Sequence, residues 1–175
     1  PEQLKPLVET LGLRASSGTP AEAATFGDVV MLTVPLHATP GVAHDLAPLL
    51  EGKIVIDTGN AYEKRDGEGG REAARHPSGS AAWAAAFFPK ARWVKAFNTV
   101  HFKVLEREAH REGDRVGIPL ASDDREAIDV VAGLVRDAGF DPVAVGALSR
   151  GKEFEPGTRP YNTGMSGREL RSILR

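Results

Sequence analysis

The sequence contains no cysteine, which excludes disulfides, thiolate zinc sites and a cysteine nucleophile. It has no apolar run near the roughly 18 residues of a membrane span, and residues 1–10 lack the apolar core of a signal peptide. Neither sign of charge is in excess, because 22 Lys and Arg face 24 Asp and Glu without basic blocks. We therefore expect a cytoplasmic protein that binds neither nucleic acid nor a membrane.

The 175 residues, of which 41% are hydrophobic, are enough for one good core. We expect residues 1–150 to form one NAD(P)-binding Rossmann-like domain. Residues 151–175 are expected to add a carboxyl-terminal tail and helix.

The most informative stretch is 28–37, with the sequence DVVMLTVPLH. Its nearly unbroken apolar run is typical of a strand buried on both faces of a parallel sheet. Pro35 ends that strand, and Thr39 followed by Pro40 predicts the start of a helix. In open α/β sheets ligands bind at the carboxyl ends of the strands, so the functional site is expected here.

Strand and helix patterns alternate along the chain. Further strands are predicted at 13–16, 53–57, 92–97, 115–121 and 142–145, and helices at 2–11, 20–26, 39–50, 81–88, 102–107, 124–138 and from 167 onward. The polar, glycine-rich residues 63–80 are predicted to be a long loop, with Ser80 capping the next helix. This alternation predicts a doubly wound, mostly parallel Rossmann-like α/β sheet, with 28–35 and 53–57 as adjacent central strands.

A phosphate-binding turn is missing from this pattern. Dinucleotide-binding folds open with a strand, a G-x-G-x-x-G turn and a helix, whereas residues 1–12 have the pattern of a helix alone. The glycine cluster at 67–70 follows no predicted strand, so it does not fit that motif. The sheet is expected to lack its first strand-helix-strand unit.

Three segments carry a resemblance to a known family: 28–67, WVKAFNTV at 93–100, and 121–158. They resemble the NADP oxidoreductases that act on the deazaflavin coenzyme F-420, and KAFNTV is also similar to the reductase domain of STEAP-type metalloreductases. The resemblance implies hydride transfer between NADP(H) and a deazaflavin or flavin. It also implies a chain shortened at its amino end, since the glycine-rich turn and the residues that distinguish NADP from NAD are not in this sequence.

The same resemblance implies a set of cofactor-binding residues. They are Thr33, Val34, Pro35, Leu36 and Pro40 after the first main strand, Asn60 and Tyr62 after the second, and Asn98, Thr99 and Phe102 after the third. Other interpretations stay open from the pattern alone. Pro35 could serve only to end a strand, Asn60 could be a turn residue, and Asn98 with Thr99 could cap a helix.

No acid–base residue or metal ligand is predicted. The cofactors carry the chemistry of hydride transfer, so Asp57 is assigned a capping or turn role. His37 and His44 are seven residues apart, whereas ligand pairs on one helix are usually three or four apart. His101 is the histidine nearest to the predicted site residues.

Two alternatives concern function and assembly. A non-catalytic nucleotide-binding or partner-binding remnant of the family would also explain the missing phosphate turn. The last helix has an apolar stripe of Leu170, Ile173 and Leu174. This stripe predicts a homodimer, or else it docks on its own domain.

Overall fold

The computed structural model describes residues 2–175 and contains one five-stranded sheet. The strands are β1 (Val29–Leu32), β2 (Ile54–Asp57), β3 (Arg92–Lys95), β4 (Gly117–Ala121) and β5 (Asp141–Gly146). They lie in the order β1-β2-β3-β4-β5, and every neighbouring pair is parallel except β3 with β4. The predicted Rossmann-like, mostly parallel α/β fold is confirmed.

Eight α-helices within residues 2–175 connect or flank the strands. They are α1 (Lys5–Leu11), α2 (Pro20–Phe26), α3 (Thr39–Leu46), α4 (Glu63–Arg75), α5 (Gly79–Ala85), α6 (Phe102–Glu108), α7 (Arg125–Asp137) and α8 (Gly167–Ile173). Thr19 and Ser166 form capping boxes at the starts of α2 and α8, two helices that the sequence predicted.

The strands bury side chains on both faces of the sheet, because successive residues of a strand point to opposite sides. On one face Val55 joins Leu36, Leu50 and Phe88 in a core beneath α2, α3 and α5. On the other face Ile54 and Ile56 join Val94, Ile118 and Val131 beneath α7. This two-sided burial explains the nearly continuous apolar runs of β1 and β2.

Strand β1 occupies the edge of the sheet, where a central position was predicted. It pairs with β2 as expected, but no strand within residues 2–175 pairs with its outer side. Met31 is therefore 49% exposed although it lies in the most apolar stretch of the chain. The predicted strand at 13–16 is wrong, because Gly12–Arg14 forms a 3-10 turn in which Leu13 is exposed.

The predicted loop at 63–80 is also wrong, since most of it forms α4 and α5. Glutamate, lysine, arginine and alanine favour helix strongly enough to outweigh the glycines. One of the glycines still distorts the helix, because Gly67 has a φ of 59° and kinks α4. Ser80 lies inside α5, where its buried hydroxyl donates to Glu155 Oε1 at 2.7 Å instead of capping the helix.

The start of α3 differs from the prediction as well. A 3-10 turn, Leu36–Ala38, precedes the helix, so Thr39 is its first residue and not its cap. Near the carboxyl end, Leu170 and Leu174 of the apolar stripe are buried with Phe154 in a small core of the same chain. Of the two alternatives for this stripe, the burial of both leucines supports docking on its own domain.

Candidate functional site: a cleft at the strand ends

The carboxyl ends of β1, β2 and β3 open into a cleft of about 680 Å³. The cleft forms here because parallel strands end at one edge of the sheet and their connections diverge from it. Eight of the ten predicted cofactor-binding residues line it: Thr33, Val34, Pro35, Asn60, Tyr62, Asn98, Thr99 and Phe102. Three segments that are distant in sequence thus meet in one place.

Leu36 and Pro40 do not line the cleft. Leu36 is only 1% exposed and belongs to the core beneath α3, because the 3-10 turn after Pro35 directs the chain back onto the sheet. Pro40 lies exposed in the first turn of α3. The prediction that these two side chains contact a ligand in the cleft has no support in this arrangement.

Two buried asparagines join the connections that follow β2 and β3. The Nδ2 of Asn60 donates to the backbone oxygen of Asn98 at 2.9 Å, and the Nδ2 of Asn98 donates to Asn60 Oδ1 at 3.0 Å. Asn98 Nδ2 also donates to the backbone oxygen of Phe154 at 3.0 Å. These bonds fix the orientation of both side-chain amides. They leave the side-chain oxygen of Asn98, Oδ1, without a donor.

Two polar atoms in this region are buried without any hydrogen-bond partner, namely Asn98 Oδ1 and Thr99 Oγ1. Leaving such groups unpaired costs on the order of 1–3 kcal/mol each, so native proteins rarely do so without a reason. The helix-cap interpretation does not account for them. His101 caps α6, with its Nδ1 accepting from the Lys103 amide at 3.3 Å.

Asp57 and Lys95 form a buried ion pair beneath the cleft, with 3.0 Å between Asp57 Oδ2 and Lys95 Nζ. Asp57 Oδ1 also accepts from the Gly59 amide at 2.8 Å, and Lys95 donates to the Gly59 carbonyl. The carboxylate therefore shapes the turn after β2, which is the role predicted for it. Neither side chain lines the cleft.

Asp66 anchors the start of α4 beside the cleft. Its carboxylate contacts the Arg65 guanidinium at 2.8 Å, the His37 ring at 2.9 Å and the Tyr62 amide at 2.9 Å. Burial alone would raise the pKa of this carboxyl, but the bonds from Arg65, Tyr62 and His37 outweigh burial and hold the pKa well below its usual range. The bond to Asp66 holds the His37 ring beside the first turn of α4.

The cleft also contains residues that the sequence did not indicate. Arg65 lies in the region predicted to be a loop, while Tyr161 and Asn162 come from the tail before α8. The Asn162 amide donates to the Thr99 carbonyl at 2.7 Å, which brings this tail to the turn after β3. Long-range packing of this kind leaves no periodic signal in the sequence.

One side of the cleft is apolar and is lined by Met31, Phe97, Phe102, Leu105 and Phe140. Phe97 and Phe140 meet edge to face, with 6.5 Å between the ring centroids. Phe97 has a φ of 60°, which is costly for a bulky side chain and is found mostly at functional sites. The cleft therefore offers a ligand both apolar and polar groups, as small-molecule sites do.

Within residues 2–175 no helix is long and apolar enough to cross a membrane.

Comparison with known proteins supports the resemblance. Residues 1–61 match the family described as NADP oxidoreductase coenzyme F420-dependent. The predicted resemblance is confirmed. The matched residues include β1, β2 and the turn that carries Asn60.

Two curated relatives share part of their sequence with this chain. The chain is 34% identical over 110 residues to Metalloreductase STEAP3 of Rattus norvegicus, covering 63% of this chain and 21% of that protein. It is 32% identical over 114 residues to Metalloreductase STEAP2 of Mus musculus, covering 63% and 20%. The chain thus spans about a fifth of the length of these relatives.

Two solved structures share the fold. A hypothetical protein, SMa0349, from Sinorhizobium meliloti superposes with a TM-score of 0.79 and 25% identity, covering 95% of this chain and 79% of that one. A putative F420-dependent NADP-reductase from Arthrobacter sp. FB24 superposes with a TM-score of 0.66 and 20% identity, covering 77% and 62%. At that identity the second likeness speaks for the fold alone.

Proposed function

We propose that this chain is an NADP-dependent oxidoreductase that transfers hydride between NADP(H) and a deazaflavin, such as coenzyme F-420, or a flavin. The observation that carries the proposal is the pair of buried, unpartnered atoms, Asn98 Oδ1 and Thr99 Oγ1, on a turn that lines the cleft. The match of residues 1–61 to F420-dependent NADP oxidoreductases supports the same chemistry.

The unpartnered atoms suit a carboxamide such as that of nicotinamide. A carboxamide carries N–H donors and a carbonyl oxygen, so Asn98 Oδ1 can accept from it while the Thr99 hydroxyl donates to it. The Asn60–Asn98 bonds hold the amide of Asn98 in place before a ligand arrives. Such preorganisation favours a single orientation of the ring.

The chain's own residues are expected to orient and shield the rings and not to exchange protons with them. When bound, the cofactor itself supplies the hydride. Thr33, Val34 and Pro35 at the end of β1 and Phe102 at the start of α6 provide the surfaces on which a ring can pack. Excluding water from the rings in this way protects the hydride step from side reactions.

A second candidate function is a non-catalytic nucleotide-binding or partner-binding module. It is favoured by one observation, namely that the glycines at 67–70 lie inside α4 and form no phosphate-binding turn after a strand. Calorimetric titration with NADPH, followed by an NADPH oxidation assay with flavin mononucleotide and with F-420, separates the two functions. Binding with turnover supports the oxidoreductase, and binding without turnover supports the module.

In a protein that also carries the family's amino-terminal strand and glycine-rich turn, replacing Asn98 with alanine should lower kcat for hydride transfer by roughly tenfold or more, with only a modest change in NADPH affinity. The reason is that phosphate contacts supply most of the cofactor's binding energy, while the carboxamide contact positions the ring. Steady-state kinetics and fluorescence titration measure the two quantities.

Thr10→Ala is the control for this experiment, because Thr10 lies on α1 and bonds only to the Pro6 carbonyl at an exposed position. It should leave both values unchanged. Asn98→Ala also removes the bond to Phe154, so melting temperatures should accompany the kinetics. A folded N98A protein with unchanged turnover would contradict the assignment.

Cytoplasmic location and a homodimer stay predictions from the resemblance. Multi-angle light scattering at micromolar concentration tests the dimer against the chain mass of 18.7 kDa. A species of twice that mass is the expected result. A single-chain mass would remove the dimer from the account.

A further inference from the structure

The chain has only two tyrosines, and they meet at the cleft although they lie 99 residues apart in sequence. Tyr62 follows β2 and immediately precedes α4, whereas Tyr161 belongs to the tail before α8. Their hydroxyls are hydrogen-bonded to each other, and both side chains line the cleft. Neither the sheet nor the cores require this contact.

The tail is held in this position by a bond to the site itself. The amide of Asn162, next to Tyr161, donates to the carbonyl of Thr99 at 2.7 Å. Thr99 is one of the two residues with a buried unpartnered atom. The segment that carries Tyr161 is therefore bonded to the turn that carries the proposed carboxamide site.

When two hydroxyls hydrogen-bond to each other, one of them donates its proton to the oxygen of the other. The proton of the accepting hydroxyl is then free to donate to a third group. Burial, together with the bond to Tyr62, raises the pKa of Tyr161 far above its usual value. Tyr161 therefore keeps its proton throughout the physiological pH range. The Arg65 guanidinium lies 4.8 Å from the centre of the Tyr62 ring and holds that ring at the cleft wall.

We propose that the Tyr62–Tyr161 hydroxyl pair is the hydrogen-bond donor for the redox co-substrate, at a ring nitrogen or carbonyl oxygen that gains electron density as hydride arrives. This inference rests on the proposed function, and it assigns the co-substrate's place within the cleft. The co-substrate is a planar, carbonyl-bearing heteroaromatic ring, which describes flavins and deazaflavins alike.

The electron and proton balance follows from this role. Hydride leaves NADPH with two electrons, breaking its C–H bond and giving NADP⁺, and a new C–H or N–H bond forms on the acceptor ring. The ring is then anionic and takes one proton from water. The tyrosines keep their protons throughout and stabilise the charge that develops, which is the kind of interaction that raises kcat.

The test uses Tyr62→Phe, Tyr161→Phe and the double variant, which keep the rings and remove only the hydroxyls. We expect each single variant to lower kcat with flavin mononucleotide or F-420 about tenfold, because a donor to developing charge is lost. NADPH affinity should stay within about twofold, since the inference assigns the two hydroxyls to the co-substrate and not to NADPH. The double variant should be no slower than the slower single variant, because the hydroxyls act as one unit.

A second measurement does not depend on turnover. Fluorescence titration with oxidised flavin mononucleotide should give a higher Kd for both variants than for the unaltered chain. Thr163→Ala is the control, because it removes a hydroxyl of the same tail that bonds to the Pro160 carbonyl and lies outside the cleft. It should leave kcat and both affinities unchanged.

The outcomes separate this inference from the proposed function. If NADPH does not bind but flavin binding weakens in both tyrosine variants, the donor pair stands and the NADP assignment fails. If NADPH oxidation proceeds at the same rate in all variants, the oxidoreductase stands and the donor pair is overturned. A flavin affinity equal in all variants, or no flavin binding at all, also overturns the donor pair.

Discussion

Lys95 is the residue whose environment most constrains the cleft. Its side chain is fully buried, and its ammonium group contacts the Asp57 carboxylate at 3.0 Å as well as the Gly59 carbonyl. Asp57 in turn holds the Gly59 amide. One ion pair thus connects β3 to the turn after β2, the turn that places Asn60 in the cleft.

Replacing Lys95 with methionine should reduce the free energy of unfolding by about 3–5 kcal/mol, because it leaves the Asp57 carboxylate buried without a counter-charge. Urea denaturation at neutral pH measures this loss. The matched control is the double variant Lys95→Met with Asp57→Asn, which removes both charges. It should recover much of the stability, and a double variant as unstable as the single would show that packing, not charge, decides.

Residues that directly follow strands were predictable as site residues, whereas residues brought in by the tail were not. Thr33, Asn60 and Asn98 each come after a strand whose apolar run is visible in the sequence. Tyr161 and Asn162 lie in a segment without periodicity, and only tertiary packing brings them to the cleft. Which atoms remain unpartnered was equally hidden, since it depends on the bonds that their neighbours make.

Among the secondary-structure elements, α4 contains two sequence signals that favour different structures. Its glycines indicated a loop, but the acidic, basic and alanine residues between them favour helix, and Asp66 fixes the first turn through three partners. The kink at Gly67 lies at one of the glycines that led to the loop prediction. The helix propensity of the residues between the glycines and the contacts of Asp66 together outweigh the glycines.

Helix α7 was predicted correctly because its amino end carries a clear cap. Asp124 accepts from the Ala127 amide at 2.9 Å and from Arg92 at 2.6 Å, so it joins α7 to β3. The Arg92 guanidinium and the Ala127 amide lower the pKa of Asp124 from 3.8 to about 2. Its ionised form is thus favoured in the folded state.

The sign of this shift predicts a pH dependence. Because the folded pKa is the lower one, the stabilisation is fully present above about pH 4 and is lost as the pH falls through about 2. Asp124→Ala should cost about 1–2 kcal/mol at neutral pH, because it removes a helix cap. Thermal unfolding between pH 2 and pH 7 measures both effects.

Asp124→Asn separates the cap from the charge in that experiment. Asparagine can still accept from the Ala127 amide but carries no charge for Arg92. It should lose less stability than the alanine variant at neutral pH and should show a flatter acid dependence than the unaltered chain. An acid dependence identical to that of the unaltered chain would mean that other carboxylates account for it.

For the whole molecule, the alternation of strand and helix patterns was enough to predict the class of fold. It did not place β1, which lies at the edge of the described sheet and not at its centre. Strand order depends on which neighbours are present, and a single strand's apolar run does not contain that information. The cleft followed from the fold, because three parallel strands in sequence bring three connections to one edge.

The proposed function requires that the turn after β3 keeps polar atoms unpaired so that a ligand can pair with them. Thr99→Val tests it most directly, because valine has nearly the shape of threonine and removes only the unpartnered hydroxyl. The variant should unfold at the same temperature or a higher one, since a buried unpaired group is gone.

The same variant should lower kcat for NADPH oxidation by about three- to tenfold, as expected for one lost hydrogen bond to the ring's carboxamide. The decisive measurement is therefore melting temperature and kcat on the same T99V sample. The predicted result is a melting temperature that is unchanged or higher, together with a lower kcat. Turnover unchanged, or stability and turnover reduced together, would contradict the claim that this hydroxyl is held for a ligand.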